Sequence, residues 1–345
     1  MGKKIEWLAV LQGFSMLLVV IGHVSLTNGT VIDPSPFAAH IERIIYTFHM
    51  PLFIFISGWL FYYTCIGREK PYKNMLVSKV KRLVVPFWAF TLVTMALKMA
   101  FPQLMHRVVD REEIINTFLL FSSNPLGEMW FIVVLFELML IYPVYRLITK
   151  NDLTATLGLG VAVALSFLVP ERLTWFQFHQ FSQMAPFFVA GILCCKYGWQ
   201  RHLDTVWALA TTLLWFVACN VLGMLPESMK IVTVSAGVAF SFSLCLSLAR
   251  FRPQLFGSFR DYTFQIFLMG IFFQMVIRWI YVKFDNELLF WPLWLISVLI
   301  GVYAPTLIAI ALDISITRTL GTKHIGYLTS HTGFLSNTNN HNCEL

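Results

Sequence analysis

The sequence predicts an all-α, polytopic membrane protein of about ten transmembrane helices, both termini cytoplasmic, and three observations carry that expectation. The 345 residues are 57% hydrophobic and only 12% charged, with a mean hydropathy of +0.70, well beyond what a soluble core requires. Apolar runs of roughly 17 to 25 residues, enough to cross a bilayer, recur from end to end and leave no hydrophilic stretch large enough to fold separately. The basic residues alternate between loops as the positive-inside rule demands.

In chain order the spans are read as Leu8 to Leu26, Ile44 to Tyr63, Leu83 to Phe101, Met129 to Ile148, Leu153 to Val169, Phe181 to Tyr197, Thr205 to Leu222, Ile231 to Leu248, Tyr262 to Ile280 and Leu289 to Leu312. The Lys3, Lys4 start resembles a signal peptide, but no small-x-small cleavage site follows, so the first run is a permanent span. With the N terminus inside, 17 of the 25 Lys and Arg residues fall on the inner side. A miscounted helix would scramble that bias in every later loop. The same bias accounts for the net charge of +7, so the partner expected is a lipid bilayer, the plasma (inner) membrane, and not nucleic acid.

Residues 1–320 are read as one integral-membrane domain, and 321–345, rich in Thr, Asn, His and Gly, as a polar, disordered tail. Two outer connections are long. Thr27 to Arg43, with Pro34 and Pro36, is read as a loop; Pro102 to Glu128 carries IINTFLLF, an interfacial or re-entrant piece. The six cysteines show neither metal-ligand spacing nor a paired framework and are read as packing residues; no metal is expected.

Chemistry enters with two histidines inside apolar runs, His23 in LLVVIGHVS and His49 in FHMPLFIFISGW. The first span runs outward and the second returns, so at 1.5 Å per residue both rings lie roughly 7 Å inside the outer boundary. Polar residues at membrane depth usually face a cavity and mark a pathway or a reaction site. Neutral imidazole suits a proton acceptor for a hydroxyl, and it suits a proton relay in a transporter equally well. Gln12, eleven residues before His23, returns to the same helix face, so Gln12, Met16, Val19 and His23 form one stripe.

Other residues stand out from the apolar background. Trp130 fits an aromatic belt or a site, and Glu137, seven residues on and on the same face, is the one acid deep within a span. Gln274 and Arg278, four apart, share a face that would contact an acceptor, although snorkelling toward the interface also accounts for Arg278.

The segments LLVVIGHVS, FHMPLFIFISGWLF, KRLVVPFWAF and MWFIVVLF, in that order, resemble the acyltransferase-3 family of membrane acyltransferases. The likeness is strongest to its small single-domain branch that O-acetylates bacterial surface polysaccharides and related sugars. Weaker similarity continues through FSQMAPFFVAGILCCKYG and FRDYTFQIFLMG, covering roughly residues 5–315. The resemblance implies about ten helices, acetyl-CoA as a cytosolic donor substrate, and a glycan or lipid-linked sugar hydroxyl as acceptor. It makes His23 and His49 the catalytic histidines and Arg82 the basic residue before the proline-aromatic pair; Trp130 matches the aromatic of the fourth-helix motif. Lys79, Lys81 and Arg82 would then meet the donor's phosphates at the inner face.

This chain departs from the family at three places. Gln12 and Ala9 stand where many members carry an arginine and an acid, and Gly270 stands where a histidine is common; Gln12 is taken as the donor-side residue in place of that arginine. The rival expectation is a polytopic transporter or flippase for a glycan or lipid-linked intermediate, which predicts broken helices or inverted repeats; the sequence is read as showing neither a repeat nor a Gly/Pro-broken pair.

Overall fold

The computed structural model describes residues 5–24, 26, 35–100, 130–226, 229–284 and 286–320. Their regular structure is helical, with no strand among them. The outer loop over 27–34, the 102–128 segment with IINTFLLF and the 321–345 tail lie outside the described residues.

Helix α1 spans Glu6–Gly22. Glu6 in its first turn suits the positive end of the helix dipole, and Ser15 Oγ donates to Leu11 O at 2.7 Å, so that polar group stays satisfied inside an apolar rod. Helix α2, Pro36–Phe61, ends in a π-helical turn, Tyr62–Ile66. It begins well before Ile44: Ser35 Oγ accepts from the Ala38 N–H at 3.3 Å, and Pro36 occupies a first helical position that needs no N–H donor. The latter part of the Thr27 to Arg43 loop is therefore helix.

Then come α3 (Tyr72–Lys79), a π-helical turn (Val80–Val84), α4 (Val85–Ala100), α5 (Trp130–Leu140), α6 (Tyr142–Ile148), α7 (Asp152–Leu168) and α8 (Phe178–Tyr197). The chain closes with α9 (Val206–Phe216), α10 (Lys230–Phe251), α11 (Thr263–Phe284) and α12 (Phe290–Leu320). Caps are explicit where helices start in polar turns. Asn151 and Thr154 form a reciprocal capping box on α7, and Thr205 accepts from the Ala208 N–H at the start of α9.

Among the described residues, four helical stretches are long and apolar enough to cross a membrane: Pro36–Ile66, Lys230–Phe251, Arg260–Phe284 and Glu287–Leu312. A fifth results if α5 and α6, bent by 58° at Ile141, count as one span. The bend follows from Pro143, which cannot donate to the ladder and clashes with the preceding turn. The expected Met129 to Ile148 span is thus a broken rod. Glu6–Gly22, Asp152–Leu168 and Val206–Val221 are apolar but shorter.

The helices divide into two compact units, Met1–His49 with Leu203–Leu345, and Met50–His202. In the first, α1 packs on α10, α11 and α12, and α11 lies along α12. Small residues permit this: a Cβ on Gly270 would stand 2.9 Å from Gly301 O, and one on Gly237 2.3 Å from the Phe48 ring. In the second unit, α2 and α8 cross with their backbones touching. A Cβ on Gly58 would stand 2.1 Å from Phe188 O, and one on Gly191 2.1 Å from Phe55 O. Helix α7 buries Ala155 and Ala162 while Leu153, Leu157, Val161 and Leu168 stay more than half exposed. In water that stripe would be a liability; against acyl chains it is a lipid face.

Candidate functional site

Helix α1 ends at Gly22, and His23 is the first residue past it, its N–H bonded to Val19 O at 3.1 Å. The expected span to Leu26 is shorter as a helix, so His23 sits at a helix terminus. His49 lies on α2, and the two rings meet edge to face with centroids 5.8 Å apart. Both are buried, 8% and 2% exposed.

A third ring joins them. Tyr46 Oη lies 2.6 Å from His23 Nδ1, and the Tyr46 ring centroid is 5.3 Å from that of His23 and 5.1 Å from that of His49. His49 Nδ1 is 2.9 Å from Ile45 O. A carbonyl only accepts, so Nδ1 carries the proton and Nε2 is the acceptor of the neutral ring.

The fourth group comes from α11. Arg278 lies within electrostatic range of His23, and of Tyr46 and Glu42. Gln274, one turn earlier and 3% exposed, donates from Nε2 to Val20 O at 2.8 Å; it binds α1 and is not held out toward a ligand. Beside the end of α1 a small cavity is bounded by Ile21 and Val24, Glu42 of α2, and Phe290 and Trp294 of α12.

On the Gln12 stripe, Met16, Val19 and His23 are buried and Gln12 is half-buried. Sequence reasoning missed Tyr46 and Glu42. Their signal was present: Glu42, Tyr46 and His49 recur at four and three residues, one polar stripe on α2.

The remaining candidates belong to the second unit. Arg82 and Lys81 occupy the π-helical turn Val80–Val84; Lys81 is exposed and Arg82 half-buried. Lys79, expected beside them as a phosphate-binding cation, is 5% exposed, and its ammonium lies over the Phe61 ring at 5.4 Å. Burial pushes it down to about 8, assisted by the charges of Arg82 and Lys70. Trp130 opens α5 and meets Phe131 edge to face, and Glu137 is half-buried on the same helix. The five described cysteines form no disulfide, and no group of three or more His, Cys, Asp or Glu suits a metal ion among the described residues.

Comparison with known proteins places the chain in a family. A family model described as an acyltransferase domain matches residues 5–310. Nodulation protein NolL of Mesorhizobium japonicum is 28% identical over 196 residues, 55% of this chain and 48% of that protein, so the match takes in about half the length of the curated relative. No solved structure matches. With the family model spanning all the helices that carry the histidine cluster, the chain belongs to the acyltransferase family of membrane proteins.

Proposed function

We propose that the protein is a membrane O-acyltransferase that moves an acetyl or other short acyl group from acetyl-CoA to a hydroxyl of a surface polysaccharide or lipid-linked sugar. The observation that carries this reading is the contact of His23, Tyr46 and His49 in a chain of acyltransferase descent. The reading takes ten spans in the plasma membrane, both termini cytoplasmic, supported by the 17 of 25 basic residues on one side.

In the tautomer this chemistry uses, His23 Nδ1–H donates to Tyr46 Oη, and Nε2 holds the lone pair. The acceptor hydroxyl oxygen attacks the thioester carbonyl carbon as its proton passes to His23 Nε2. The C–S bond then breaks, and the departing thiolate takes the proton from His23, giving an ester and free CoA. His49 packs against His23 and limits its tilt. Arg278, within electrostatic range of His23, supplies positive charge to offset the negative charge that develops on the carbonyl oxygen. Exposed Lys81 and half-buried Arg82 hold the donor's phosphates at the cytosolic face, with Gln12 on the donor side of the His23 stripe. Trp130 and Glu137 serve as supporting residues of the second unit.

The bent α5–α6 pair is a feature a transporter would share, and the test separates the two readings by donor consumption. Cells lacking the gene are complemented with wild type or His23→Ala, and surface-glycan acetyl esters are measured by NMR. Wild type should restore them, and His23→Ala should lower them by about a hundredfold or more. Absence of acetylation with wild-type protein present, or full restoration by His23→Ala, overturns the proposal.

A further inference from the structure

We infer that Gln274 is a positioning residue that fixes the end of α1 and thereby the backbone that carries His23. The functional consequence rests on the acyltransferase reading; the tie itself does not. The last carbonyls of a helix lack intrahelical donors. At the end of α1 the His23 N–H bonds to Val19 O at 3.1 Å and the Val24 N–H to Ile21 O at 3.2 Å, so among the described residues no backbone N–H is directed to Val20 O. Gln274 Nε2 fills that place at 2.8 Å.

In a bilayer an open carbonyl has no water to turn to, so the amide is the group that makes a helix end at this point affordable. The geometry is built for it. A Cβ on Gly301 of α12 would lie 3.0 Å from Val20 Cγ1 and 3.1 Å from both Gln274 Cγ and Nε2. Gly301 therefore leaves the slot through which the amide reaches α1. Gly270, one turn before Gln274, lets α11 come this close to α12. One hydrogen bond thus ties α11 to α1 three residues before His23, with Gly301 of α12 packed against it, while Tyr46 Oη secures the ring.

The test uses the full-length protein in lipid nanodiscs as wild type, Gln274→Met, which keeps length and loses the donor, and Gly301→Ala, which keeps the amide and crowds it. Two readouts are taken. Diethylpyrocarbonate modification of each histidine is followed by peptide mass spectrometry, with exposed His40 as the internal reference. Acyl transfer from acetyl-CoA to surface polysaccharide isolated from cells lacking the gene is followed as kcat and KM for each.

Expected is a several-fold faster modification of His23 in Gln274→Met with His40 unchanged, and a kcat loss of about tenfold to a hundredfold at constant KM. Gly301→Ala should show the same signs to a smaller degree. Wild-type reactivity of His23 in both variants overturns the inference. So does a uniform rise at every histidine in Gly301→Ala, which marks general loosening. If wild type transfers no acyl group, the acyltransferase reading falls, and the His23 modification rates still decide whether Gln274 holds that residue.

Discussion

Tyr46 is the residue on which the geometry around His23 turns. Its hydroxyl lies 2.6 Å from His23 Nδ1, so under the proposed acyl transfer Tyr46→Phe should lower kcat by about tenfold to a hundredfold while KM stays near wild type, since His23 would be misaligned and not removed. Steady-state kinetics on the purified variant check this. His23 and His49 were visible in the sequence because titratable rings interrupt apolar runs. Tyr46 was not, because a tyrosine near a span end reads as an interface anchor, and only the helical period linking it to Glu42 and His49 marks it. Lys79 shows the converse. Within the cluster running to Arg82 it reads as a solvated cation, yet it is buried over Phe61. With its folded pKa at about 8 and an unfolded value near about 10.4, the unfolded chain binds more protons between those limits, and stability rises with pH across that window. Thermal unfolding of detergent-solubilised protein between pH 7 and 10 should show this rise in wild type and lose it in Lys79→Met.

Helix boundaries were less legible than helix existence. Hydropathy places apolar runs but does not see that Ser35 and Pro36 start α2 early, that α1 stops at Gly22, or that Pro143 breaks the α5–α6 rod by 58°. These are local hydrogen-bonding decisions within a uniformly apolar background. Packing between helices was equally hidden, since a glycine in a span looks the same whether it faces lipid or another backbone. At the α2–α8 crossing it faces a backbone. A Cβ on Gly191 would stand 2.1 Å from Phe55 O and 2.9 Å from Trp59 N, and neither atom can swing aside as a side chain would. Gly191→Ala should therefore destabilise the protein by about 3 kcal/mol, the upper range for overpacking, seen as a lowered apparent melting temperature. A change at Gly160, where an added Cβ meets nothing within 4 Å, should leave it in place.

For the molecule as a whole, composition and loop charge point to a helical membrane protein, and the ordered motifs point to its family. What they do not supply is which polar side chains converge. That depends on three stripes from α1, α2 and α11, and each is diluted by the apolar residues between its members. The structure also fastens α1 twice. Near its start, Arg260, 2% exposed, pairs with Glu6 at 2.8 Å and donates to Pro253 O at 2.6 Å; near its end, Gln274 holds Val20 O. A rod pinned at head and foot behaves as an anvil. Movement in this part of the molecule must come from its surroundings, so substitutions in the walls around Trp294 and Glu42 should be tolerated better than changes along α1, where both fastenings would have to give.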